Sequence, residues 1–424
     1  MKKLLAILLT LSLLMGACAA LAEAEPIKMT LWTFQALHTD LYKEMEAKWN
    51  ADPDKPKIEI DYQVMPYEEM HDKLTIALQS GEGAPDLVDI EINKFANYLK
   101  GDIGLAPMNE YVEPIEDHLV MSRLNNYAKD GKFYGIDHHI GATVLFYNTA
   151  ILEEAGIDYT AIKTWDDFHE AGKVLLEKTG KPMIVWESAD CWSIYPIVNQ
   201  HGGDWLAPDG TVRMDEPVVI ETLKFMKSML DDGTAIACPG GNTHSEEFWG
   251  WMNGGNCASV SMPFWYLDRF TNYMPDLRGK MKVAAMPLWP DGGHKSAQMG
   301  GTGTAVVASS PNVEVAKEFL AYACLTFDGC VTTWKICGFD PILKDVYGSE
   351  EMKEPNQFFE YYDQDIFEVL AGVLDDIPDT CISEYFPTAS DIVKTQMAYR
   401  LAELMDDPEQ IVKDCAEELR SAIE

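Results

Sequence analysis

Basic side chains are scarce in this 424-residue chain: 33 Lys and Arg stand against 69 Asp and Glu, a formal charge of −36. A surface of that sign repels phosphate backbones and anionic headgroups, so nucleic acid and lipid surfaces are poor partners. Spread along every helix, the acids serve solubility more than the steering of a cation. Long apolar runs are also missing. The longest, residues 4–14 after Lys2 and Lys3, is too short to cross a bilayer and begins as a secretory leader does.

The nine cysteines include no CxxC pair, and Cys324, Cys330 and Cys337 lack zinc-ligand spacing. Export permits disulfides, yet the irregular spacing assigns none. No HExxH, no GxSxG elbow and no calcium-loop spacing occurs. The run from Gly292 to Ser296 ends in Lys-Ser without the glycine spacing of a phosphate loop. No cofactor and no metal is expected. Internal repeats are missing too, which argues against an adhesin. The length asks for two domains. With no low-complexity linker between them, the domains are expected to be interleaved.

What is present alternates between strand and helix. The run from Ile27 to Thr33 is β-rich, and Leu41, Met45 and Trp49 recur at helical spacing. Ile58 to Tyr62 alternates as a strand, Met70, Leu74 and Leu78 form a stripe stopped at Ser80-Gly81, and Leu87 to Ile90 is a strand. The order predicts a parallel α/β sheet with right-handed crossovers. The alternation restarts with Val144 to Tyr147 and a helix from Trp165. Thr164 and Asp167 form a capping-box variant at that helix start, and Gly180 ends it.

Several motifs recur in one order. They are Leu74…Ser80-Gly81…Pro85-Asp86-Leu87-Val88, Gly104 to Met108, Lys132 to Ile136, and Tyr147-Asn148…Gly156…Thr164-Trp165. Gly202-Gly203-Asp204, Phe248…Met252 to Gly255 and Gly300-Gly301…Ala316 to Leu320 complete the series. Each is weak alone; in this order the mature chain resembles the extracellular (periplasmic-type) solute-binding proteins of sugar ABC importers, the maltose-binding-protein-like group. The resemblance implies a two-lobed α/β fold of the type II periplasmic-binding-protein class, each lobe a mainly parallel sheet flanked by helices. Two or three hinge crossovers would join the lobes. It places lobe one at 25–138 plus 300–343 and lobe two at 139–299 plus 344–424, behind a leader of residues 1–22. A lipobox-like Met15-Gly16-Ala17-Cys18 would instead end the leader at residue 17 and make Cys18 the lipidated N-terminus.

A carbohydrate offers weakly apolar ring faces edged by hydroxyls, so its site needs aromatic platforms and carboxylate or amide acceptors. Ligands of open α/β sheets sit beyond the carboxyl ends of strands. Trp32 and Phe34 end the first strand, as platforms or as packing. Asp89 and Glu91 end another strand, where an acidic pair is a poor core choice. His139 follows His138 at the first hinge. Trp186, Glu187, Asp190 and Trp192 crowd one loop with two indoles and two carboxylates. By resemblance, Trp265 and Tyr266 face the cleft, and Gly300 and Gly301 let backbone approach a ligand or flex as a hinge. Stacking is assigned to Trp32, Trp192 and Trp265, and hydroxyl acceptance to Asp89, Glu91 and Glu187.

The resemblance implies a monomeric, non-enzymatic receptor that captures a carbohydrate and hands it to membrane permease subunits; the aromatic count favours an oligosaccharide over a single sugar. The rival is a secreted glycoside hydrolase or lyase, which would also be acidic and Trp-rich but needs a fixed carboxyl pair.

Overall fold

The computed structural model describes residues 25–424; the leader, with Cys18, lies outside the described residues. Strand β1 (Ile27–Thr33) leads into helix α1 (Ala36–Ala51), β2 (Ile58–Val64), α2 (Tyr67–Ser80) and β3 (Leu87–Glu91). After short helical turns, β4 (Ile136–Asp137) precedes β5 (Thr143–Asn148) and α3 (Trp165–Thr179). Next come β6 (Ile184–Trp186), α4 (Ile194–Gln200), α5 (Pro217–Asp231), β7 (Ala235–Ala237), β8 (Ser259–Pro263) and β9 (Met281–Ala284). The chain then forms β10 (Thr302–Val306), α6 (Val313–Leu325), α7 (Phe327–Cys337), α8 (Phe386–Ile392) and α9 (Pro408–Ile423).

The first sheet has strand order β2-β1-β3-β10-β4, with β1 parallel to both β2 and β3. Strand β10 runs antiparallel to β3 and to β4. In the second lobe β5 lies between β8 and β9, antiparallel to both, while β6 and β7 form a parallel pair. The mainly parallel sheet expected of each lobe thus holds only for β1–β3 and β6–β7. The reason is topological. β5 and β10 start at the crossovers and run away from the cleft, so neighbours that end at the cleft must oppose them.

Three segments meet between the lobes. Residues 137–143 run antiparallel to 297–303, with Met299 N donating to Gly141 O at 3.0 Å and Thr143 N to Ala297 O at 2.9 Å. Asp340, past the end of α7, accepts Ile140 N on its carbonyl at 2.8 Å and Ala142 N on its carboxylate at 2.7 Å. Apolar side chains fill the interior on both sides. Leu41, Met45 and Trp49 of α1 are buried against the first sheet, and Trp165, Phe168 and Leu175 of α3 are buried in the second lobe. All eight cysteines among the described residues are free thiols, seven of them buried. No described helix is long and apolar enough to cross a membrane.

Helix α3 starts as its sequence implies. Thr164 Oγ1 accepts Asp167 N at 3.1 Å and the Asp167 carboxylate accepts Thr164 N at 3.0 Å, closing the capping box. Gly180 ends the helix at φ 70°, a left-handed conformation that glycine adopts without Cβ strain. Replacing Thr164 with Ala leaves a helix-end N–H unsatisfied and is expected to lower stability by about 1 kcal/mol. Urea unfolding with an unchanged slope checks this.

Candidate functional site

The cleft between the lobes holds a cavity of about 500 Å³, within the usual range for small-molecule sites. Its wall is built where strands end. Phe34 follows β1, Glu91 closes β3, Asp190 and Trp192 follow β6, and Trp265 follows β8. His139 and Gly300–Gly301 come from the crossovers, and Lys394 from a π-helical turn just after α8.

The aromatic side of the cavity is a cluster of three rings. Trp192 and Trp265 meet edge to face at 5.4 Å and 80°, while His244 stacks on Trp265 at 5.4 Å and 24°. Trp265 Nε1 donates to Met299 O at 2.9 Å, tying the indole to a crossover. Gly300 lies under both indoles: a Cβ there would stand 2.9 Å from Trp265 Nε1 and 3.1 Å from Trp192 Cζ3. Its φ of 69° also favours glycine. Opposite, Phe34 packs edge-on against Tyr67 at 5.4 Å.

The polar side is unusual in what it leaves unpaired. Glu91 Oε2 accepts Tyr67 Oη at 2.9 Å and Asn93 N at 2.9 Å, but Oε1 has no partner within the protein. His139 Nδ1, His244 Nε2 and Asp268 Oδ1 are likewise buried without a protein partner. Buried polar atoms are satisfied in most native structures, and these four belong to residues that line one cavity. Burial pushes Glu91 up to about 7, against the pull of its hydrogen bonds to Tyr67 and Asn93. Near neutrality it therefore both donates and accepts, as a sugar hydroxyl does. Burial pushes His139 and His244 down to about 3, leaving neutral imidazoles. It raises Asp190 and Asp268 as well.

Of the residues singled out in the sequence, the structure brings Phe34, Glu91, His139, Asp190, Trp192, Trp265, Gly300 and Gly301 to this wall. It does not bring Trp32, Asp89, Trp186, Glu187 or Tyr266 there. Trp32 and Trp186 point into the hydrophobic interiors of their lobes, 3% and 0% exposed. In a strand, alternate residues face opposite sides, so Trp32 and Phe34 share a face, and the indole, lying deeper along β1, stays in the core.

Asp89 and Glu187 support the wall from behind. Asp89 takes His38 Nδ1 at 2.9 Å, Tyr42 Oη at 3.2 Å and Thr304 Oγ1 at 2.7 Å. Burial alone would raise it, but the hydrogen bond and charge of His38, helped by His138 and Thr304, outweigh this and hold it at about 2. Glu187 accepts Thr243 N at 2.8 Å, Thr243 Oγ1 at 2.7 Å and Ser193 N at 3.1 Å. It thereby fixes the two loops that carry Trp192 and His244. Burial, then the charge of Asp190, raises its carboxyl. Tyr266 donates its hydroxyl to Thr243 O on the same loop.

His38, Tyr67, Asn93, His244, Asp268 and Lys394 also line the cavity and were not singled out in the sequence. Asn93 stands two residues past Glu91, and Asp268 two past Tyr266, so both adjoin flagged motifs. His244 follows β7 in a Gly-rich loop and carries no signal of its own.

The chain matches the family of bacterial extracellular solute-binding proteins over residues 35–324. It is 40% identical to an arabinooligosaccharide-binding protein of Bacillus subtilis strain 168 over 423 residues, 98% of each chain. A second arabinooligosaccharide-binding protein, from Halalkalibacterium halodurans, is 41% identical over 397 residues, 93% of this chain and 89% of that one. Among solved structures, the ABC transporter associated binding protein of B. animalis subsp. lactis Bl-04 in complex with beta-1,6-galactobiose superposes with a TM-score of 0.78. That match has 24% identity and covers 93% of this chain and 97% of the other. The chain therefore belongs to the bacterial extracellular solute-binding protein family. As a member of that family it is a solute-binding protein and not an enzyme.

Glu91 gives this site a pH signature. Unfolded, its carboxyl titrates near about 4.3; folded, it keeps its proton up to about 7. Between these values the folded state binds more protons, so this residue's contribution falls as pH rises and levels off above about 7. The unfolding free energy of Glu91→Gln relative to the unsubstituted protein is expected to improve by on the order of 1–3 kcal/mol from pH 5 to pH 8. Urea unfolding at several pH values measures it, and a pH-independent difference would remove Glu91 from this role.

Proposed function

We propose that the cavity binds a short, uncharged arabinose-containing oligosaccharide, the ligand named for the two relatives that match this chain nearly end to end. The observation that carries the reading is the convergence of the Trp192–Trp265 edge with the polar side chains of Glu91, His139, His244 and Asp268 on the wall of one cavity. Ring faces stack on the indoles, and hydroxyls satisfy the buried carboxyls and imidazoles. Two of the cavity's cations are already engaged. Lys94 pairs with Glu68 at 3.1 Å, and Arg269 pairs with Asp268. An anionic ligand would have to displace these partners, which favours a neutral one.

Binding proceeds by closure. Sugar meets one lobe, and rotation about the three crossing segments brings the other lobe onto it, favoured only by contacts made in the closed state. Lobe one comprises residues 25–138 plus 300–343 and lobe two 139–299 plus 344–424 in this reading. The protein is exported, either freed after Ala22 or held at the outer face of the membrane by a lipid on Cys18.

Trp192→Ala is expected to weaken oligosaccharide binding by about 1–3 kcal/mol, five- to more than a hundred-fold in Kd, with an unchanged circular dichroism spectrum. Calorimetry against a panel of arabino-, galacto- and maltooligosaccharides reads it. Unaltered affinity would take Trp192 out of the site, and release of shorter sugars during the titration would favour a hydrolase.

A further inference from the structure

We infer that His201, Glu221 and Asp291 form a binding site for a divalent transition metal of the zinc class, on the outer side of the second lobe and apart from the sugar cavity. His201 directly follows α4, Glu221 lies on α5, and Asp291 sits in the loop after β9. One ligand atom from each lies within 4.8 Å of the others, and none of the three lines the cavity. Among the described residues this is the one group in which three such atoms converge.

The orientation of His201 carries the inference. Its ring stacks on Trp289 at 3.9 Å and 8°, and its side chain is 5% exposed. Nδ1 stands 2.8 Å from Thr222 Oγ1, and that hydroxyl already gives its single proton to Val218 O at 2.7 Å. With Thr222 as the acceptor, Nδ1 carries hydrogen and the neutral imidazole keeps its lone pair on Nε2. Nε2 faces Asp291 Oδ1 at 3.1 Å. A lone pair and a carboxylate oxygen at that distance repel unless a positive centre joins them. A proton does so by making an imidazolium; a metal ion does so by drawing on Glu221 as well.

The geometry suits the metal. Tetrahedral nitrogen and oxygen ligands about 2.1 Å from zinc stand about 3.4 Å apart, close to the 3.1 Å separation of Nε2 and Oδ1. The exposed Glu221 can swing into the third position. The partner on Nδ1 is the arrangement that fixes the tautomer and aim of a metal-bound histidine. Three other histidine–carboxylate pairs, His118–Asp345, His169–Asp232 and His294–Asp376, offer only two ligands each and serve as internal comparators. A bound ion would tie the Trp289 loop to α4 and α5, a stabilising role independent of sugar capture.

Mature protein dialysed against a chelator, titrated calorimetrically with zinc chloride and in parallel with calcium chloride, tests the site. One saturable zinc site with a raised melting temperature is expected, with no heat from calcium, because imidazole favours the softer ion. Glu221→Gln and Asp291→Asn, both at exposed positions, should each weaken zinc binding at least tenfold while leaving the metal-free melting temperature and the oligosaccharide affinity unchanged. No saturable zinc binding, equal binding of calcium, or zinc affinity untouched in either variant would overturn the assignment and leave His201–Asp291 a plain ion pair.

Discussion

Arg123 and Asp137 form a fully buried ion pair, Nε to Oδ2 2.6 Å, at the junction of the two lobes. The rest of the cleft depends on it. Asp137 belongs to the first crossover and also accepts His139 N at 3.1 Å and Thr302 N at 3.3 Å, while Tyr127 donates its hydroxyl to the same carboxylate. Arg123 reaches the second crossover through Gly300 O. One guanidinium thus holds both strands of the hinge. Gly301 is glycine because a Cβ at its φ of 148° would overlap that guanidinium. Breaking such a pair strands a charge in the interior at a cost of about 3–5 kcal/mol, so crossover and cation form one unit. Gly300, gripped by Arg123, is also the floor beneath Trp192 and Trp265. Hinge and aromatic platform are therefore joined through a single residue.

Around that anchor the cleft sets buried groups of two kinds side by side. The supporting carboxylates Asp89 and Asp137 are fully engaged and held ionised, whereas burial raises the equally engaged Glu187 behind the wall. Those at the wall, Glu91 and Asp268, are pushed towards the protonated form and keep an oxygen unpaired. In the reading proposed above, a hydroxyl-rich guest bonds to the wall without bringing charge, and closure draws on the contacts that the filled cleft adds.

Much of this was legible in the sequence. Helical stripes such as Leu41–Met45–Trp49 and the Thr164–Asp167 cap appear as read, because local periodicity and end chemistry are set by near neighbours. Strand ends located the wall, and so Phe34, Glu91, Trp192 and Trp265 were found. Depth was not legible. Whether Trp32 or Trp186 faces guest or core depends on distant helices that cover them, and Glu187 and Asp89 look like ligand acceptors until Thr243 and His38 arrive from remote segments. His244 and Lys394 reach the cavity through tertiary folding alone. The antiparallel run of β5, β8 and β9 was hidden for the same reason: strand direction follows from where the crossovers fall.

The central claim is that the two lobes close on an oligosaccharide held between the indoles and the buried carboxyls. Small-angle scattering of the mature protein, free and saturated with a linear arabinooligosaccharide whose binding is followed in the same sample by Trp fluorescence, tests it most directly. The account predicts a smaller radius of gyration in the saturated state, with the sugar recovered intact. Saturation of the fluorescence signal without any contraction, or recovery of cleaved sugar, would contradict it.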